Sequence, residues 1–375
     1  MSKKGGKFSP EDEAYFEELE KETRKEARLD RKIAKRRDRS QYKKTDQDKQ
    51  KKTNDLHENL SVQKEDLQRG RVIAVGGERY VVSSEGKEIY CYLRGLLKKD
   101  RTRLKNLITI GDFVLFELVD GGEGSICHVE ERRSVLARSD NLSRRKQHLI
   151  AANLDMVLIT VSAEQPGLKP SLVDRYIIAT RKGGMDAVII VNKMDLLEEY
   201  EGLDEYIQEF VDAYSKLGIP VIPVSTKTGE GIEDIKALMK DKASVFSGQS
   251  GVGKSSLINA ITGLNLLTAS IVEHTQKGAH TTTAAKLVEL EFGGWVIDTP
   301  GIKSFGVWDL TEAELGSYFP DIAEIGQKCR FQPCLHDHEP SCAVKIAIEE
   351  EELSFMRYES YIALLYSLRE KHLRR

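Results

Sequence analysis

The sequence predicts a multidomain α/β protein: an N-terminal β-barrel, a mostly parallel sheet alternating with helices, and a C-terminal helical segment around a cysteine–histidine cluster. Three observations predict it. From Gly70 to Arg138 short alternating runs are separated by Gly-containing turns, as in small barrels. From Met156 to Ile297 strand-length apolar runs alternate with amphipathic stretches, the pattern of a doubly wound parallel sheet. Beyond residue 308, four metal-ligating side chains fall within fourteen residues and precede a run with helical spacing.

The chain has 375 residues, of which 40% are hydrophobic, so two or three domains with real cores are expected. No apolar run reaches the roughly 18 residues that cross a bilayer, so a soluble, cytoplasmic protein without membrane contact is expected. Acidic Glu11-Asp12-Glu13 and Glu17-Glu18 stand where a targeting peptide would avoid carboxylates. Residues 1–65 are charge-dense and nearly free of apolar side chains. From Arg24 to Lys52 fourteen Lys and Arg face five Asp and Glu, an excess of nine positive charges. Such a segment cannot bury enough surface to form a globule, which leaves disorder or a lone helix. It reads equally as a solubilising tail and as an RNA-binding arm. The net charge of the whole chain is −3, so any nucleic-acid contact must use local patches.

The barrel, residues 70–135, reads as five strands: Arg71–Gly76, Arg79–Ser83, Glu88–Leu93, Phe113–Leu118 and Ser125–Glu130. An OB-fold is the natural candidate for five such strands. The connection Arg94–Lys105 between the third and fourth strands carries Lys98, Lys99, Arg101 and Arg103. A basic loop on an OB barrel suits a phosphate backbone; the bland alternative is a solvated connector. In the second region, residues 136–307, strands are expected at Met156–Val161, Ala187–Val191 and Val221–Val224, with Val245-Phe246 and Trp295–Ile297 as further strand ends. Helices are expected at Ser171–Lys182, Gly202–Leu217 and Gly231–Met239. Ligands of such sheets bind outside the C-terminal ends of the strands. The third region, residues 308–375, ends in the helical run Ala343–Arg375, expected to pack the cysteine-bearing loop and to expose Lys371, Arg374 and Arg375.

The motifs fall on those strand ends. Gly248-Gln249-Ser250-Gly251-Val252-Gly253-Lys254-Ser255-Ser256 fits the phosphate-binding loop G-x-x-x-x-G-K-[ST] between a strand end and a helix start. Its glycines let backbone N–H groups curl around phosphate oxygens. Lys254 can neutralise the β- and γ-phosphates, and the Ser255 hydroxyl can ligate Mg²⁺. Asn192-Lys193-Met194-Asp195 matches the guanine-reading N-K-x-D pattern. The Asp195 carboxylate accepts from the N1–H and exocyclic amine of guanine, a donor pair adenine lacks. Lys193 would lie along base and ribose. Ser225-Thr226-Lys227 resembles the loop that holds guanine O6 through backbone N–H groups. Asp298-Thr299-Pro300-Gly301 resembles the D-x-x-G switch, with Asp298 facing Mg²⁺ and the Gly301 N–H facing the γ-phosphate. His280-Thr281-Thr282-Thr283 stands where a GTP-binding domain keeps its Mg²⁺-coordinating threonine; Thr282 is the candidate. In most such domains the phosphate loop comes first and N-K-x-D late. Here the base-reading loops precede the phosphate loop, so a circularly permuted domain is expected.

Cys329, Cys334, His336 and Cys342 form C-x4-C-x-H-x5-C. Three thiolates and an imidazole make a closed tetrahedral set, the usual composition of structural zinc, and one ion per chain is expected. His338 is a weaker substitute for His336, and unrelated free thiols are the bland alternative. Cys91 and Cys127 stand apart from the cluster.

The permuted order, Gly248–Ser256, His280–Thr283, Asp298–Gly301 and the Cys329–Cys342 cluster together resemble the RsgA (YjeQ) family. The resemblance runs from about residue 70 to about 370. It implies a GTPase that depends on the small ribosomal subunit and acts in late 30S maturation, with 16S rRNA as a partner. Hydrolysis of GTP to GDP is an in-line attack of water on the γ-phosphate, driven by positioning and charge neutralisation. Ile302 follows Gly301 where Ras-like enzymes place a water-orienting Gln. His280 is therefore expected to orient the water, as the resemblance also implies, with Lys254 neutralising charge; the alternative is that His280 only caps a loop. A monomer is expected. Two other readings stay open: a GTP-gated RNA-binding module with incidental hydrolysis, and a signalling GTPase without ribosomal contact.

Overall fold

The structure is a computed structural model that describes residues 67–77, 79–94, 107–119, 121–139, 147–263, 285–298 and 310–373. The charged segment 1–65, nearly all of the basic loop, the His280–Thr283 run, Gly301 and the chain's last two arginines lie outside those residues. Leu67–Ser139 and Gln147–Arg375 form one compact unit.

All five barrel strands are present: β1 (Gln68–Gly76), β2 (Arg79–Ser84), β3 (Lys87–Leu93), β4 (Phe113–Val119) and β5 (Glu123–Val129). They pair in the order β1-β2-β3-β5-β4, and β4 returns to β1 to close the barrel. Only β3–β5 is parallel, because the longest connection in the barrel separates β3 from β4. Alternation places Val72, Tyr80, Val82, Cys91, Val114, Phe116 and Ile126 inside, as the two-residue period of a strand requires.

The larger layer runs through β8 (Met156–Ser162), α1 (Pro170–Lys182), β9 (Asp186–Asn192), α2 (Leu203–Ser215), β10 (Val221–Pro223), α3 (Ile232–Met239), β11 (Ala243–Ser247), α4 (Lys254–Thr262), β12 (Lys286–Glu289) and β13 (Trp295–Asp298). The strand order is β10-β9-β8-β11-β13-β12, parallel except for β12. Every residue of β8 and β11 is buried, which is why these strands read as continuous apolar runs. On one face α1 and α2 contribute Tyr176, Ile177, Phe210 and Tyr214 to the core. On the other, α3 and α4 contribute Ile235, Met239, Leu257 and Ile261. The helices expected from Gly202 and Gly231 start one residue later. Both glycines sit at the N-cap with φ near +70°, outside helical geometry.

Three strands were not legible, β12 among them. β6 (Val135–Ser139) and β7 (Gln147–Ala152) form an antiparallel ribbon between barrel and sheet. Val135-Leu136-Ala137-Arg138-Ser139 has no alternation, and no hairpin turn dipeptide marks the ribbon. Asn153, the residue after β7, ties the ribbon to the barrel. Its side-chain amide donates to Gly111 O at 3.1 Å, and Arg71 Nη2 donates to Asn153 O at 2.7 Å. β12 meets β1 at a single register pair, Ala74 with Lys286, so the barrel and the parallel layer share one eleven-stranded sheet.

The C-terminal segment holds α5 (Glu312–Leu315), α6 (Pro320–Gly326), α7 (Ala343–Glu349) and α8 (Phe355–Leu373) around Leu315, Phe319, Ile322, Val344, Tyr361 and Leu365. A reciprocal Thr311–Glu314 capping box starts α5. The run expected as one helix from Ala343 is therefore two. Leu353 is buried between them, and Glu351 adopts φ 60°. Ile178 of α1 belongs to this same core.

The seam between α1 and α8 contains a charge network. Arg357 pairs with Asp174, and with Asp321 at 2.9 Å. Tyr214 donates to Asp174 at 2.9 Å, and Ser360 donates to the same carboxylate oxygen. The guanidinium lies 4.5 Å from the Phe319 ring centre. Burial raises the Asp174 carboxyl against the Arg357 charge and two hydroxyl donors, which favour the carboxylate.

Candidate nucleotide and metal sites

Four predicted motifs meet at the C-terminal ends of the parallel strands. Asn192 ends β9, Ser225 lies two residues beyond β10, Gly248 follows β11 and Asp298 ends β13. The phosphate loop holds its shape through close backbone approach. A Cβ on Gly248 would lie 2.0 Å from Thr160 O, and one on Gly253, which has φ +91°, would lie 2.3 Å from Asn192 Nδ2. A side chain at 248 would displace the backbone of β8, and one at 253 would displace the Asn192 amide and strain a left-handed φ.

Lys254 begins α4 and curls its ammonium back over the loop, donating to Gly248 O at 2.7 Å and Gln249 O at 2.5 Å. No carboxylate pairs with it among the described residues, and burial brings its pKa down to about 8. A half-buried lysine with carbonyls as its partners is a cation awaiting an anion. The exposed Ser255 and Ser256 stand in the first turn of α4, at the positive end of its dipole.

The base-reading loops are joined to this cradle by Asn192. Its fully buried amide donates to Val252 O at 2.9 Å and accepts from Thr226 N at 3.3 Å. Asn192 thus acts as a tie between three loops. Asp195 Oδ1 accepts from Ser225 Oγ at 2.6 Å, and Lys227 Nζ lies 3.5 Å from Oδ2. The Ser225 bond first, with help from Lys227, holds the Asp195 carboxyl below its usual range, so it is ionised and ready to accept. Ser225 Oγ also accepts from Lys227 N and Thr228 N at 3.3 and 3.2 Å, which shapes that turn. Met194 contributes its backbone, donating to Val224 O at 3.1 Å. Lys193 adopts φ 63° and donates to Gln165 O. Gln165 belongs to the β8–α1 loop, which carries no motif and was not predicted.

The cysteine–histidine cluster closes as expected. The ligand atoms of Cys329, Cys334, His336 and Cys342 all lie within 4.8 Å of one another. Cys329 Sγ is 3.8 Å from Cys342 Sγ and 3.6 Å from His336 Nδ1. Cys334 and Cys342 are 3.9 Å apart, and His336 Nδ1 is 3.4 Å from Cys342 Sγ. A tetrahedral ion with metal–sulfur bonds of about 2.3 Å requires sulfur–sulfur edges of about 3.8 Å and slightly shorter sulfur–nitrogen edges. The four atoms fit a zinc-sized dication. Burial pushes the Cys334 thiol up to about 12 and lowers His336, so the protein alone disfavours charge here. His338 is excluded as a ligand: its ring is exposed and lies 3.3 Å from Asp337.

A second layer orients the loop. Tyr358 of α8 donates to His336 O at 2.9 Å, and Glu339 accepts from Leu335 N and Asp337 N, both at 2.9 Å. Asp337 in turn accepts from Tyr366 and Arg369, both at 2.7 Å. The expected packing of the final helix on this loop is thus present.

With both sites described, comparison with known proteins decides the family. The family pattern for the RsgA GTPase matches residues 129–308, and that for the RsgA N-terminal domain matches residues 69–126. The small ribosomal subunit biogenesis GTPase RsgA of Flavobacterium psychrophilum is 36% identical over 302 residues, covering 79% of this chain and 92% of its own length. That of Chlorobaculum parvum is 39% identical over 311 residues, covering 80% and 98%. The chain belongs to the RsgA family. Its fold agrees with YjeQ of Thermotoga maritima at a TM-score of 0.64 and 34% identity, over 80% of this chain and 98% of that one. YloQ, a circularly permuted GTPase, superposes at 0.63 with 31% identity, over 83% and 98%.

The protein is accordingly a GTP hydrolase with a permuted domain, as the motif order predicted. The RsgA pattern spans His280, Thr282 and Gly301, whose geometry lies outside the described residues. Of Asp298 the structure gives the strand position, paired with Lys286. No described helix is long and apolar enough to cross a membrane.

Proposed function

We propose that this RsgA-family GTPase acts in maturation of the small ribosomal subunit, engages the 30S particle through 16S rRNA, and hydrolyses GTP faster when bound to it. The observation that carries this reading is the convergence of Lys254, Asn192 and Asp195, which brings a phosphate cradle and a guanine reader together in a chain whose relatives bear that name. The domain limits are taken as 70–135, 136–307 and 308–375, with cytoplasmic location and a monomeric state.

In this mechanism Asp195 selects guanine, and the Ser225–Lys227 turn offers backbone N–H groups to its O6. The N–H groups of Gly248–Ser256 and the Lys254 ammonium receive the phosphates. Ser255, Thr282 and Asp298 are the groups for Mg²⁺, which supplies charge neutralisation at the phosphates when bound. The Gly301 N–H is the group this reading assigns to the γ-phosphate. Lys254 stabilises charge in both ground and transition states, whereas His280 orients the water only as it attacks. Zinc at Cys329, Cys334, His336 and Cys342 serves the fold, because the closed donor set leaves no open position.

The test compares GTP turnover with and without purified 30S subunits, in the natural protein and in His280→Ala. Stimulated turnover that falls on the order of a hundredfold in the variant, with nucleotide affinity retained, is expected. Binding to 30S without stimulation would favour the RNA-binding module, and absence of both would favour a signalling GTPase. Full stimulated turnover in His280→Ala would move water orientation to another group.

A further inference from the structure

The β8–α1 loop bonds the proposed nucleotide site at two places and lies beside the phosphate loop at a third, although it carries no GTP-binding motif. Ala163 N donates to Asn192 O at 2.9 Å. A Cβ on Gly251 of the phosphate loop would lie 3.6 Å from Pro166 Cδ. Lys193, the residue that would lie along base and ribose, donates its ammonium to Gln165 O. The loop itself is braced at two points. Ser162 Oγ donates to Pro166 O at 2.7 Å, and the Gln165 amide donates to Tyr200 OH at 2.6 Å.

Gln165 and Lys193 both occupy the left-handed region, at φ 55° and 63°, which is disfavoured for a residue with a Cβ. Two such residues facing one another across a binding site imply that their contact is held from outside. Tyr200 is suited to hold it, because it caps the 3₁₀ turn Met194–Glu199 that begins within the N-K-x-D motif. The brace therefore spans the motif: Lys193 at its start reaches Gln165, and Tyr200 beyond its end holds the same residue.

We infer that Ser162–Gly167 is a further wall of the guanine-nucleotide site, in which Gln165, held by Tyr200, is the positioning residue for Lys193. A long lysine left free would lose rotamer entropy on settling against a nucleotide, and the Gln165 carbonyl removes part of that loss beforehand. The effect belongs to binding of the base and ribose and is the same for GDP and GTP.

This inference rests on the GTP-site reading, and a double-mutant cycle separates the two. Affinity for a fluorescent GDP analogue is measured in the full-length protein and in Tyr200→Phe, Lys193→Ala and the double variant. Tyr200→Phe is expected to weaken GDP binding about threefold and to raise KM for GTP equally, the loss appearing in KM rather than kcat. In the Lys193→Ala background the same change is expected to cost nothing, because the tyrosine acts through that lysine. Equal losses in both backgrounds, or no loss in either, would overturn the inference and reduce the brace to loop stability. Gln165→Gly provides a second variant that relieves the backbone strain and removes the Tyr200 bond; unchanged GDP affinity in it would overturn the inference as well. If the natural protein bound no guanine nucleotide, the GTP-site reading itself would fall.

Discussion

The nucleotide site and the cysteine cluster are each built for an ion of the sign the protein does not supply, yet they differ in what holds them together. The described part of the proposed phosphate cradle is held by the protein's own bonds. Lys254 bonds loop carbonyls, Asn192 ties three loops, and glycines at 248 and 253 allow contacts no side chain would permit. Its shape is backbone hydrogen bonding and close packing. The cluster instead gathers three thiols and an imidazole whose mutual contacts are weak, and burial raises the Cys334 and Cys342 thiols, disfavouring their charged forms in the protein alone. A dication is what makes those four groups attract one common point. In the proposed function the nucleotide would thus meet a loop already shaped by the protein's own bonds, whereas the metal would be part of its own site's structure.

Removing the metal should therefore have the largest effect. Cys334→Ser, or a strong chelator, is expected to abolish metal content and expose Ala343–Leu373 to proteolysis, because structural metal binding is folding free energy on the order of 10 kcal/mol. Elemental analysis finding about one zinc per natural chain, and little in the variant, is the check. Unchanged protease resistance without metal would make the two sites alike and break the comparison.

Next comes the seam that joins α1 to α8. Arg357→Ala leaves Asp174 buried beside two hydroxyls with no cation, a change that costs about 3–5 kcal/mol. Denaturant unfolding monitored separately by nucleotide release and by metal release would show whether both sites fail together. Release of metal alone would show that the nucleotide layer stands without the seam.

Lys254→Ala is expected to lower kcat/KM on the order of a hundredfold or more while leaving the melting temperature nearly unchanged, since the cost of burying the ammonium offsets its two carbonyl bonds. A large loss of stability would mean that the cradle depends on its lysine as the cluster depends on its metal.

The smallest effect is a pH dependence of the same lysine. Its pKa in the free protein, about 8, lies below the ordinary 10.5. The unfolded chain therefore binds more protons, and the cost of burying this charge is felt below pH 8 and relieved as pH rises toward 10.5. Phosphate binding needs the charged form, so nucleotide affinity should fall about fourfold between pH 7 and pH 8.5. Lys254→Arg should flatten that slope, and an equally steep slope in the variant would assign the titration to another group.

Much of this was legible from residue order alone. Gly248–Ser255, Asn192–Asp195 and the Cys329–Cys342 spacing are local patterns: each motif's residues stand a few positions apart, and the chemistry demands those residue types at those separations. Periodicity likewise marked the strands of the barrel and of the parallel layer, because a strand's faces and a helix's stripe are short-range patterns. The spacing already ranked His336 above His338 and packing agrees, whereas the break near Leu353 and the β6–β7 ribbon were decided only by packing. His336 can turn Nδ1 toward the thiols while His338 faces water, and Leu353 is drawn into a core built from helices far apart in sequence. Asn192 reads in the motif as part of a base reader, and only tertiary structure makes it a tie to Val252, sixty residues away. The same holds for Asp174 with Arg357 and for Gln165 with Lys193. Such contacts form between segments that the chain keeps far apart, so no local pattern encodes them, and the burial of the whole fold decides which polar groups must find each other.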